Sequence, residues 1–145
     1  MCTAYRARVL ATSAVVDSLL VRMRQAAARW QFATTAYCFM PDHLHMLVSA
    51  ESERANCEAF VKAFKQASGF DFRREHSARL WQPGYHDRIL RNDEATETVV
   101  RYILANPVRA GVTREPGEYP FAGSDVYDLA ALRTAWDRVG EGGRS

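Results

Sequence analysis

Two strand-like runs, Phe32–Met40 and His43–Ser49, are separated only by Pro41-Asp42, and this pairing restricts the fold more than any other feature. Both runs are rich in aromatic, β-branched and other apolar residues, which suit a pleated, half-buried surface. Pro-Asp supplies turn chemistry. Strands joined so closely pair antiparallel, because a parallel partner needs a crossover of a dozen or more residues. Alternation along the second strand then sets its two faces. His43 and His45 share one face, with Cα atoms about 6.6 Å apart at about 3.3 Å per residue. Leu44, Met46 and Val48 point the other way, toward helices and core.

Helical periodicity surrounds this hairpin. Val16, Leu19, Leu20, Met23, Ala27 and Trp30 recur at three- and four-residue steps, predicting a helix over 14–30. A second helix is expected over about 55–68, with Cys57, Phe60, Val61, Phe64 and Ala67 on one stripe and Gly69 as its end signal. Arg73 to Gly84 reads as a polar connection, and Tyr85–Leu90 as a short strand. A third helix begins near Asn92-Asp93, which offer N-cap chemistry, and runs to about Asn106 before Pro107. The chain from Val112 is rich in Gly, Pro and Glu, with a weak helical pattern near 126–138 and a polar end, 140–145, expected to be disordered. The order helix, hairpin, helix, strand, helix predicts an α+β fold, an antiparallel sheet with helices packed on it, over 1–125, followed by a tail over 126–145.

Composition sets outer limits. With 145 residues, 48% apolar and 25% charged, the chain suits one globular domain. No apolar run approaches the roughly 20 residues of a membrane helix, and the N-terminus lacks a signal-peptide pattern, so a cytoplasmic protein with no membrane partner is expected. Cys2, Cys38 and Cys57 show no CxxC spacing, and the last two sit at apolar-periodic positions, as buried free thiols would. Basic residues outnumber acidic ones between 54 and 114, and the balance reverses after 114. A positive middle is compatible with a phosphate backbone but common on solvated surfaces.

Two imidazoles on one strand face can converge on a single metal ion, or can be two partly exposed surface histidines; the spacing allows both. On the third helix, Val99, Val100, Ile103 and Leu104 fall within one arc, and Tyr102 and Asn106 lie together at its edge, four residues apart. A phenol, with a pKa near 10, is a poor nucleophile at neutral pH, but a nearby divalent metal can polarise the phosphate it attacks. The Asn106 amide oxygen could complete a His-His-Asn site. Mg²⁺ or Mn²⁺ suits phosphoryl transfer, and the imidazoles also tolerate Zn²⁺. The plainer reading makes Tyr102 a half-buried core residue and Asn106 a helix terminator before Pro107.

The segment Met40-Pro-Asp-His-Leu-His-Met-Leu-Val48 resembles the histidine–hydrophobe–histidine motif of single-tyrosine transposases. Leu80-Trp-Gln-Pro-Gly-Tyr-His-Asp-Arg-Ile-Leu-Arg91 and Arg101-Tyr-Ile-Leu-Ala-Asn-Pro-Val-Arg-Ala-Gly-Val112 resemble the REP-associated tyrosine transposase branch. The similarity runs from about residue 14 to 125. It implies a ferredoxin-like antiparallel sheet, a metal pair at His43 and His45, Asn106 as third ligand and Tyr102 as nucleophile. It further implies attack on single-stranded DNA beside short imperfect hairpins, a 5′-phosphotyrosine link, and relatives that are monomers or homodimers. Family members usually open with a longer strand carrying a Tyr-His pair and an arginine. Here only Tyr5-Arg6-Ala7-Arg8-Val9-Leu10 precedes the first helix, implying a short sheet edge.

Trp81 and Tyr85 flank a Pro-Gly turn among Arg73, Arg74, Arg79, Arg88 and Arg91, a mixture suited to stacking on unpaired bases and neutralising a backbone. Both aromatics could equally pack beneath the sheet. Lys62 and Lys65 are further basic residues able to face DNA, and Tyr85 is the second choice of nucleophile. Beside the nuclease stand two other expectations: a silent module of the same fold that binds hairpins without cutting, and a phosphoester hydrolase using His43, His45 and Asp42.

Overall fold

The computed structural model describes residues 1–90 and 93–142. Helix α1 spans Ser13–Trp30, strands β1 and β2 span Phe32–Met40 and His43–Ala50, helix α2 spans Cys57–His76, and helix α3 spans Asp93–Arg109. A two-residue strand, β3 (Ala122–Gly123), and helix α4 (Leu129–Gly142) follow. The fold is α+β, with an antiparallel sheet ordered β2-β1-β3.

The expected hairpin forms, with Met40 opposite His43, Phe39 opposite Leu44 and Cys38 opposite His45. Pleating divides it between two cores. Tyr37, Phe39 and Leu44 pack against Val16, Leu19 and Met23 of α1 and Phe60, Val61 and Phe64 of α2. On the opposite face Ala36, Cys38 and Met40 pack against Val100, Ile103 and Leu104 of α3 and against Tyr119. The sheet is thus a middle layer, and β2 carries its histidines on the α3 side. The two helices of the first core are also tied by Arg22, whose guanidinium donates to both Asp71 oxygens at 2.6 and 2.9 Å.

Several boundaries differ from expectation. Helix α2 runs through Gly69 to His76, because the next turn still buries Phe72 and Asp71. Gly69 has Trp81 alongside it, where even a Cβ would lie 3.9 Å from the indole. Tyr85–Leu90 is not a strand; just before it, Lys65 Nζ of α2 donates to the carbonyls of Gln82 and Gly84 at 2.8 Å each, and Tyr85 packs against the first core. Helix α3 passes through Pro107, which is fully buried, and ends two residues later. Cys38 is buried as expected, whereas Cys57, the first residue of α2, is exposed. The helix expected near 126–138 forms as α4, over Leu129–Gly142, and it takes in 140–142, which were expected to be disordered; residues 143–145 and the expected N-cap Asn92 lie outside the described residues.

At the N-terminus a single turn, Ala4–Arg6, replaces an edge strand. It is held by isolated bridges from Cys2 to His43 and from Thr3 to Trp81. At the other edge, β3 pairs Gly123 with Tyr37 and Ala122 with Cys38. Glycine is needed there, since a Cβ at 123 would stand 2.5 Å from the Tyr37 hydroxyl.

The end of α3 follows from Gly111. Its N–H donates to the carbonyl of Val108 and that of Val112 to Pro107, the paired bonds of a Schellman termination, with Gly111 at φ 73°. Nothing lies within 4 Å of a Cβ built there, so a side chain meets only backbone strain. Gly111→Ala is expected to lower unfolding free energy by about 1 kcal/mol, and Gly111→Asn by less, as measured by urea denaturation.

The Arg22 hydrogen bonds hold the Asp71 carboxyl below its ordinary range, against the pull of burial. A depressed carboxyl contributes stability above its unfolded pKa, about 3.9, and loses it as pH falls through the lower folded value. Asp71→Asn should therefore lower the melting temperature at pH 7, with the gap to the parent closing as pH drops below about 4.

Candidate active site

Strand β2 presents His43 and His45 on one face, with ring centroids 4.8 Å apart and planes perpendicular. Leu44 between them is buried in the first core, so the pair cannot rotate away without extracting it. Burial first, then the neighbouring His43, holds His45 down to about 4. At neutral pH His45 is an uncharged imidazole with a lone pair to offer. Cys38 faces it across the hairpin, but burial pushes that thiol up to about 12, so it remains a thiol.

His43 is oriented from behind. Its Nδ1 lies 2.7 Å from Asp42 Oδ1, and Arg6 Nε donates to Asp42 Oδ2 at 3.0 Å. Burial pulls the Asp42 carboxyl upward, but hydrogen bonds from His43 and Arg6 outweigh it and leave it below its usual range. An ionised carboxylate at Nδ1 selects the Nδ1–H tautomer and leaves Nε2 as the free donor atom, the arrangement seen behind metal-bound histidines. Arg6 reaches Asp42 from the N-terminal turn, where Tyr5 and Arg6 both adopt left-handed backbone. Thr3 is buried beneath that turn, and its hydroxyl donates to the carbonyls of Ala7 and Asp42.

Helix α3 covers the same face of the sheet with Val100, Ile103 and Leu104 and carries Tyr102 at the margin of that contact. Tyr102 is 55% exposed, and its ring centroid lies 6.4 Å from that of His45, planes nearly perpendicular. It is therefore not a core residue. Asn106, one turn on, is half-buried, and among the described residues its side-chain amide makes no hydrogen bond. In their chemistry these residues suit a divalent ion: His43 is oriented by a carboxylate, His45 is an uncharged imidazole, and Asn106 carries an amide oxygen. Among the described residues there is no group of three or more His, Cys, Asp or Glu side chains that could hold a metal.

Two arginines complete the surroundings, and neither stood out in the sequence. Arg6 was hidden because its partner lies 36 residues away. Arg109 lies beyond Pro107, where the helix was expected to have ended; its guanidinium carbon sits 3.8 Å from the Tyr102 ring centroid. The residues expected to meet DNA divide. Arg73, Arg74, Arg79 and Arg88 are exposed, and Arg74 lies 3.8 Å from Asp71. Tyr85 is half-buried against the first core. Trp81 is not a stacking platform: it is 5% exposed, its Nε1 donates to Ser68 Oγ at 2.9 Å, and its ring packs on Phe64. Lys65 is committed to backbone carbonyls, whereas Lys62 is exposed. Arg91 lies outside the described residues.

Comparison with known proteins gives the family and the fold. The chain is 24% identical over 110 residues to a Haemophilus influenzae protein provisionally named a REP-associated tyrosine transposase, covering 68% of this chain and 62% of that one. It is 24% identical over 95 residues to the REP-associated tyrosine transposase of Escherichia coli, covering 63% and 53% respectively. The chain thus spans somewhat over half the length of these curated relatives. A solved REP-associated tyrosine transposase bound to a REP hairpin shares the fold, with a TM-score of 0.70 at 20% identity over 83% of this chain and 72% of that one. Residues 1–106, most of the chain and both histidines, Tyr102 and Asn106 among them, match the family described as transposase, IS200-like, and the chain belongs to that family.

Proposed function

We propose that this chain is a metal-dependent, single-stranded DNA endonuclease and transposase that cuts and rejoins DNA beside hairpins through Tyr102. The observation that carries the reading is the placement of an exposed tyrosine ring 6.4 Å from one of two co-facial histidines. A surface tyrosine needs no such neighbour, and a core tyrosine would not be exposed. Similarity to a transposase solved with a REP hairpin supports hairpin DNA as the partner. The exposed Arg73, Arg74, Arg79 and Arg88 are the side chains available to neutralise its backbone.

In this reading His43, His45 and Asn106 would hold Mg²⁺ or Mn²⁺. Bound there, the ion would act as a Lewis acid on the scissile phosphate. Tyr102 Oη attacks phosphorus and gives up its proton, which solvent carries to the departing O3′. The phosphorus–O3′ bond breaks, the O3′ leaves and is protonated, and the 5′ phosphate stays on the tyrosine as a diester. Rejoining runs the exchange backward, with a 3′-hydroxyl displacing the phenol, so no nucleotide cofactor is consumed. Asp42 is occupied with His43 and Arg6, which disfavours it as a ligand or base in the alternative hydrolase. The silent hairpin-binding module draws its support from the N-terminal segment, which makes bridges but no full edge strand.

The deciding test incubates the protein with Mn²⁺ and labelled single-stranded hairpins and asks for an adduct that survives denaturation. Tyr102→Phe is expected to abolish the adduct, and His43→Ala to slow its formation by at least about a hundredfold, both with hairpin affinity nearly unchanged. Chelating the metal should do the same. Tight hairpin binding with no adduct under any metal would instead establish the silent module.

Asp42→Asn removes the charge behind His43 while keeping its size. The Mn²⁺ concentration giving half-maximal adduct should rise roughly 10- to 100-fold, with maximal rate recovered at saturating metal. An unchanged metal requirement would remove Asp42 from the site.

A further inference from the structure

Tyr102 is exposed, and an exposed tyrosine ordinarily moves among staggered rotamers. A nucleophile so placed reacts well only when something holds its oxygen in line. Arg109 supplies two contacts that do so. Its guanidinium lies over the ring, with the carbon 3.8 Å from the centroid, and its Nη2 donates to the Tyr102 carbonyl at 2.7 Å. The first contact fixes the ring plane, and the second fixes the guanidinium against the backbone from which that ring projects.

The local sequence explains how a side chain seven residues on reaches back. Helical side chains lean toward the N-terminus, and a residue seven positions on lies almost two full turns away on the same side, so an extended arginine points back along that side to the Tyr102 carbonyl. This requires the helix to continue past Pro107 and stop soon after, which the Gly111 termination achieves. Only a planar, forked cation can lie flat on a ring and bond a carbonyl at once; an ammonium can make either contact but not both with the same geometry.

We infer that Arg109 is a positioning residue that clamps the Tyr102 phenol beside the histidine pair, an assignment that rests on the nuclease reading above. The closing experiment separates the two claims by pairing a structural readout with a kinetic one. In the full chain labelled with ¹³C at tyrosine rings, the Tyr102 signal is identified by its loss in Tyr102→Phe. Arg109→Gln and Arg109→Lys should each shift and sharpen that signal, since the ring is released. With saturating hairpin and Mn²⁺, adduct formation should slow roughly ten- to a hundredfold in both variants, at unchanged hairpin affinity and melting temperature. Added guanidinium ion should restore part of the rate in Arg109→Ala and none in Tyr102→Phe.

A full rate and an unmoved Tyr102 signal in Arg109→Lys would overturn the clamp, because a charge at the helix end would then suffice. A rate loss matched by an equal loss of hairpin affinity, with the signal unmoved, would also overturn it and make Arg109 a phosphate contact. If the parent protein forms no adduct, the nuclease reading fails, and the movement of the Tyr102 signal alone decides whether Arg109 holds the ring.

Discussion

The arrangement depends on β2 having two apolar masses to divide between. Leu44 enters the core shared with α1 and α2, while the face carrying His43 and His45 turns toward α3. A slip of one residue would exchange these roles, burying imidazoles among phenylalanines and exposing leucine, so both packed layers oppose it. The placement of the two imidazoles is thus secured by the sandwiching of a strand rather than by bonds at the histidines themselves. The Arg6–Asp42–His43 chain then adjusts one ring within a position already chosen.

That dependence explains what could be read from residues alone. The hairpin was legible because alternation and the Pro-Asp turn act locally, and the histidines came with it. Tyr102 and Asn106 were legible because a helical wheel places them together at the edge of an apolar arc. The failures occur where distant contacts outweigh local preference. Gly69 signals an end, yet α2 continues, since Phe72 and Asp71 gain burial and an ion pair with Arg22 in the following turn. Pro107 signals a stop, yet the helix carries on with that proline buried. Trp81 stands among arginines in sequence, but Ser68 and Phe64 draw it inside.

Arg6 and Arg109 illustrate a second limit. Arg6 acts through a partner 36 residues away, and Arg109 through one on the far side of a proline that signals a helix end, so neither stood out in the sequence. Arg6 is also delivered by backbone in a conformation that non-glycine residues rarely adopt, beside a Tyr5 that is 95% exposed. Left-handed residues in succession cost energy and persist only when surroundings fix them, as Thr3 and the bridges to His43 and Trp81 do here.

The brevity of β3 has a consequence for the chain while it is being made. Until Phe121 to Asp125 emerge, the outer edge of β1 offers unpaired amides beside Tyr37, Cys38 and Phe39, an open template for another strand. Closure then comes from few residues at once: Phe39 N–H to the Phe121 carbonyl, Asp125 N–H to the Thr34 carbonyl, and Asp125 gripped by Arg24 of α1. An acidic side chain set at that rim, with Gly123 too cramped to accept a larger neighbour, leaves little for a second molecule to pair with. The same few residues that finish the sheet thereby occupy the edge of β1 that stood open before they emerged.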